Sequence, residues 1–130
     1  MLVDTTKKAE SYLRRVMQFD QEEFWVLAFT SNQILIQSKM IFLGTVDSCV
    51  VHPREVFRFA MSVGASKILI AHGHPSGDPT PSLEDLKVTR RLVQSSQIVG
   101  IPIVDHLILT RKSVSSFEAL KLFRNAVDGI

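Results

Sequence analysis

His72 and His74 stand one residue apart at the end of the apolar run "KILIA". Behind them come Pro75, Pro79 and Pro81, and then Ser82 and Asp85. In a strand, residues two apart project to the same side, so both rings can aim at one point beyond the sheet. Two neutral imidazoles form a borderline-soft nitrogen pair suited to zinc. One carboxylate completes three protein ligands and leaves the fourth tetrahedral position for water. Asp85, in the first turn of the helix that follows, is the candidate carboxylate. The prolines restrict the loop, and Gly77 permits the turn that carries the helix start back to the strand end.

Zinc-bound water titrates near neutral pH, but amide hydrolysis also needs a base to move its proton to the leaving amine. A donor near the developing oxyanion helps further. Ser82 is placed for the second task, and an acidic residue from an earlier strand is required for the first. Each feature also has a plain structural reading. Ser82-x-x-Asp85 is a helix-start capping pattern, a surface H-x-H arises by accident, and Glu22 and Glu23 could be solvated residues at a strand start. The conjunction of strand end, paired histidines, stiff loop and helix-start acid favours a metal.

The elements that must position these residues fit into one domain. The chain has 130 residues, 45% apolar and 22% charged, enough for a single core over residues 1–130. Fifteen basic residues against 13 acidic give a net charge of +2, no electrostatic footprint for nucleic acid. The single cysteine, Cys49, precludes an internal disulfide and fits a reducing compartment. No stretch approaches a membrane span, and the first residues carry charges where a signal peptide would be apolar. The expectation is a soluble, cytoplasmic protein.

"AESYLRRVMQF" has helical spacing, with Arg14 and Arg15 expected outward; residues 1–19 form an N-terminal helical segment. "EEFWVLAFT" and "QILIQSKMIFLGT", joined through Ser31 and Asn32, read as an antiparallel hairpin, and "DSCVVH" as a third strand. A helix follows from Pro53 to Gly64, then the buried strand "SKILIA", then a helix ending at Gly100. "IPIVDHLILT" is a further strand, and "SSFEALKLFRNAV" a last helix capped by Ser115 or Ser116. The predicted order is α-β-β-β-α-β-α-β-α, an α/β (α+β) mixed sheet flanked by helices. "EEFWVLAFT" could also be an edge strand that pairs with a second copy, giving a homo-oligomer.

The spacing His72-Gly73-His74, seven residues, Ser82, two residues, Asp85 resembles the JAMM (MPN+) metalloprotease signature. "HGHPSGDPTPSLEDLKVTRRL", "GIPIVDHLIL" and "GTVDSCVVHPREV" are similar to the RadC branch of that JAB/MPN superfamily, over residues 20–117. The resemblance implies a cytidine deaminase-like α/β/α fold with Zn2+ on His72, His74 and Asp85. It further implies Glu22 of "EEFWVL" as general acid/base, with Glu23 as its neighbour and fallback, and Ser82 as support for the tetrahedral intermediate. The implied activity is zinc-dependent hydrolysis of a peptide or isopeptide bond in a peptide or protein substrate. Full-length members often carry a helix-hairpin-helix segment ahead of this domain, where this sequence has one short helix. The family's traditional link to DNA repair finds no support in the charge balance.

Two departures stand out. Gly73 replaces the usual Asn, and Lys39 occupies a hairpin-strand position where many relatives have glutamate. Were that position the functional acid, Lys39 would leave a non-catalytic metal-binding interaction domain, the main alternative. A zinc deaminase is disfavoured because that chemistry uses a P-C-x-x-C partner and this chain has one cysteine. The ligand types also suit a 2-His-1-carboxylate iron site, although the loop and serine spacing speak against it. His106, after Asp105, is a candidate to support the metal ligands from behind or a buried structural residue. His52, Cys49 and Trp25 read as structural.

Overall fold

The computed structural model describes residues 1–45 and 51–122. Its elements run α1 (Thr6–Val16), β1 (Glu23–Phe29), β2 (Leu35–Leu43), α2 (Pro53–Ser62), β3 (Lys67–Gly73), α3 (Leu83–Val99), β4 (Ile103–Leu109) and β5 (Val114–Ser116). The strands form one mixed sheet in the order β2-β1-β3-β4-β5, antiparallel except for the β3–β4 pair, which α3 connects. This is the mixed-sheet α/β architecture expected from the sequence.

Both faces of the sheet are covered, because β3 is apolar without alternation. Ile68 and Ile70 pack with Val56, Phe59, Val88 and Leu92 of α2 and α3. Leu69 and Ala71 pack on the other face with Ala9 and Leu13 of α1. The histidine-bearing strand is therefore fixed from both sides, the condition for a precise site.

Helix ends follow their local chemistry. Thr5 caps α1 by accepting from Lys8 N, and His52 caps α2 through Nδ1, consistent with its structural reading. Gly64 (φ +69°) and Gly100 (φ +82°) lie in the left-handed region at the ends of α2 and α3. Among the described residues, no helix is long and apolar enough to cross a membrane.

Several expectations need correction. β1 lies between β2 and β3, so "EEFWVLAFT" is not an edge and has no free side for a second copy. Val114–Ser116 forms β5 on the edge of β4, where the last helix was expected to start. The turn before it is closed by Thr110, whose Oγ1 accepts from Ser113 N (3.0 Å) and Lys112 N (3.3 Å). Ser116 Oγ still accepts from Ala119 N, but residues 117–121 are turns, and 123–130 lie outside the described residues. In the expected strand "DSCVVH", residues 47–50, including Cys49, also lie outside them, and Val51 and His52 are not strand. Arg14 does not face outward: its guanidinium donates to the carbonyls of Thr110, Arg111 and Ser113, tying α1 to the β4–β5 turn.

Candidate metal centre

The β1–β3 register pairs Phe24 with His72, which lays Glu22 against the strand end carrying the histidines. His74 N bonds Leu109 O (2.8 Å), continuing the β3–β4 pairing one residue further. Gly77 (φ +90°) turns the loop, and Ser115 Oγ donates to Pro79 O, holding it to β5. The chain then enters α3 with Asp85 in its first turn.

Four candidate side chains meet here. His72 Nδ1 lies 2.8 Å from Asp85 Oδ1, and its Nε2 lies 3.1 Å from Glu22 Oε1. His74 Nε2 lies 3.1 Å from Asp85 Oδ2, and its Nδ1 lies 2.9 Å from the Asp78 carbonyl. The two rings stand edge to face with centroids 4.8 Å apart. Asp85 and His72 are buried (1% and 2% exposed), whereas Glu22 retains 27%, so the site opens to solvent on the Glu22 side.

Proton counting shows what this geometry lacks. The Asp78 carbonyl can only accept, so it fixes the proton of a neutral His74 on Nδ1 and leaves a lone pair on Nε2. That lone pair faces the carboxylate oxygen of Asp85, acceptor against acceptor. Either a second proton or a cation must sit between them. His72 is similar, with a carboxylate oxygen against each ring nitrogen. Ligand atoms about 2 Å from a tetrahedral ion lie about 3.3 Å apart, close to the separations seen here. The donor types suit a divalent ion. Among the described residues, those whose ligand atoms all lie within 4.8 Å of one another are Glu22, His72 and His74, a group that does not include Asp85.

Burial opposes charge on Asp85, but hydrogen bonds from His72, His74 and Ser82 outweigh it and hold the carboxyl far below its ordinary range. The hydrogen bond to Asp85 raises the pKa of His74 against the opposing effect of burial. A raised folded-state pKa contributes stability that is fully present below the unfolded value and lost as pH rises through the folded value. The unfolding midpoint of metal-stripped protein should therefore fall as the pH rises above the ordinary histidine value of 6.5, and fall less in His74→Gln. A midpoint that rises equally in both proteins contradicts this.

Ser82 and Asp85 form a full capping box: Ser82 Oγ accepts from Asp85 N (3.1 Å), and Asp85 Oδ2 accepts from Ser82 N (2.8 Å). The Ser82 hydroxyl also donates to Asp85 Oδ2 (2.9 Å), so its one proton orients the carboxylate and is not free for an oxyanion. Glu23, the fallback acid, is buried and occupied elsewhere, accepting from Trp25 Nε1 (2.7 Å) and Gln18 N. It holds the α1–β1 connection. Lys39 lines a groove with Glu55 and Arg58 of α2, among none of the site residues. Gly73 has a packing reason. A Cβ there would meet Met17 Cε at 3.1 Å, so glycine lets the end of α1 lie against the site strand.

Two participants were not foreseen. The Asp78 carbonyl sets the His74 tautomer, and a backbone atom leaves no residue-type signal. Thr89 Oγ1 bridges the Asp85 carbonyl (2.7 Å) and His106 Nδ1 (2.6 Å). Its position four residues after Asp85 was the available cue.

A mixed five-stranded sheet packed with three helices is consistent with a JAB domain. The chain belongs to the RadC-like JAB domain family, whose sequence profile matches residues 3–122, wider at both ends than the resembling stretch 20–117. It is 44% identical over 117 residues to a UPF0758 protein of Picosynechococcus sp. (strain ATCC 27264 / PCC 7002 / PR-6), covering 89% of this chain and 48% of that protein. It is 43% identical over 101 residues to a UPF0758 protein of Staphylococcus carnosus (strain TM300), covering 78% and 45%. A UPF0758 protein of Bacillus cereus (strain G9842) is 47% identical over 100 residues, covering 75% and 44%. The chain thus spans a little under half the length of these curated relatives.

Proposed function

We propose that this domain is a zinc-dependent hydrolase of peptide or isopeptide bonds, with His72, His74 and Asp85 as metal ligands. The observation that carries the reading is the approach of His74 Nε2 to Asp85 Oδ2 at 3.1 Å, a contact that a shared proton or a cation must hold together. When bound, zinc supplies Lewis acidity, polarising a carbonyl and making water acidic enough to react near neutral pH. Glu22, on the solvent side, takes a proton from the attacking water on its carboxylate and returns it to the leaving amine. Ser82 holds Asp85 in orientation, and the Asp78 carbonyl holds His74 in the ligating tautomer. The single cysteine suits a reducing cytoplasm.

A second reading rests on the group Glu22, His72 and His74. If Glu22 is the third ligand it is not available as a base, and the metal only ties the β1 entrance to the end of β3 in a non-catalytic interaction module. The test is metal removal and return. Cleavage of a fluorogenic peptide library should cease on chelation and recover with one equivalent of zinc. Zinc binding with no peptide cleaved at any pH between about 6 and about 9 favours the second reading.

A further inference from the structure

We infer that His106 is a positioning residue for Asp85, holding the opening turn of α3 against the sheet through the hydroxyl of Thr89. This rests on the reading of Asp85 as a metal ligand. His106 is fully buried in β4, stacked on Phe117 (4.5 Å between centroids, 21°) with Phe24 edge-on at 6.0 Å. Its β3 neighbour in the pairing is Ile70, two residues before His72.

The hydrogen-bond directions follow from valence. The Asp85 carbonyl can only accept, so the single Thr89 hydroxyl proton goes to it. Thr89 Oγ1 must then accept from His106, which places the ring proton on Nδ1. His106 Nε2 is left with a lone pair and no hydrogen-bond partner among the described residues. Burial keeps the ring neutral, pushing its pKa down to about 3.

Burying an imidazole with one nitrogen unpaired carries a desolvation cost, which the bond made by the other nitrogen offsets only in part. Here Nδ1–H heads a directed chain from the sheet into the turn that carries Asp85. Asp105 prepares the arrangement by accepting from His106 N, Glu118 N and Ser116 Oγ, which pins the exit of β5 and seats Phe117 on the ring. His72 and His74 sit on β3, and His106 sits on its partner β4. The chain therefore fixes the distance between the imidazole pair and the carboxylate.

The test compares zinc affinity, by competition with a chromophoric chelator, with the 15N spectrum of the His106 ring. At neutral pH the wild-type ring should show a protonated Nδ1 and a bare Nε2. Thr89→Val, which removes the hydroxyl at constant shape, should weaken zinc about tenfold or more, and Thr89→Ser should stay within about threefold of wild type. His106→Asn, with an amide donor near the Nδ1 position, should retain affinity. His106→Gln, whose amide reaches the Nε2 position, should lose it like Thr89→Val. A proton on Nε2, or equal affinities for Thr89→Val and Thr89→Ser or for His106→Asn and His106→Gln, overturns the inference. Wild-type protein that takes no zinc sinks the metal reading instead, and the ring spectrum then still decides the hydrogen-bond direction.

Discussion

Asp85→Ala is expected to lose zinc by at least a hundredfold in affinity and to destabilise the metal-free fold as well. The carboxylate accepts from Ser82 N and Ser82 Oγ, and its oxygens lie 2.8 Å from His72 Nδ1 and 3.1 Å from His74 Nε2. Removing it takes away one ligand and the orientation of the other two, and the effect on the metal exceeds the 10–100-fold typical for a supporting group. Loss of the capping box alone costs about 1 kcal/mol, and the loss of one of each imidazole's two contacts adds about 1–3 kcal/mol, since His72 keeps Glu22 and His74 keeps the Asp78 carbonyl. Asp85→Asn separates the effects. The amide oxygen still accepts from Ser82 N and preserves much of the cap, yet the missing charge abolishes tight zinc binding. Chelator competition and denaturant unfolding, run on both variants, read the two terms. An Asp85→Asn protein that holds zinc as wild type does removes Asp85 from the ligand set.

Glu22→Gln should lower peptide hydrolysis by about 10²–10⁴-fold while the protein keeps its zinc. Gln is close to isosteric and can still face His72 Nε2, so the site stays assembled, but it cannot take up a proton. Glu22 is 27% exposed and Asp85 1%, so on the proposed reading only Glu22 is open to a substrate. Zinc lost together with activity would make Glu22 a ligand, as in the second reading. Activity retained would exclude it from the mechanism.

The parts of the site that were legible in the sequence are those written in residue type and short spacing. H-x-H at the end of an apolar run gives convergent rings because strand periodicity is local. Ser82-x-x-Asp85 gives a helix start because capping is local too. The ends of α2 and α3 at Gly64 and Gly100 follow from the left-handed conformation that glycine adopts. What escaped was decided by partners far along the chain. The position of β1 inside the sheet depends on β3 pairing with it, and nothing in "EEFWVLAFT" encodes which sides are taken. Val114–Ser116 reads as a helix start in isolation, but the free edge of β4 and the Thr110 turn recruit it as a strand. Arg14 has helical spacing for an outward side chain, yet the carbonyls of the β4–β5 turn capture it. Ser82 was read both as a cap and as an oxyanion donor, and the direction of its single proton decides for the carboxylate of Asp85.

Anomalous diffraction at the zinc edge, from crystals of the protein grown with one equivalent of zinc, tests the central claim most directly. The account predicts one peak per chain, about 2 Å from a nitrogen of His72, a nitrogen of His74 and an oxygen of Asp85, with Glu22 outside bonding distance. A peak bonded to Glu22 in place of Asp85, or no peak at the end of β3, contradicts it.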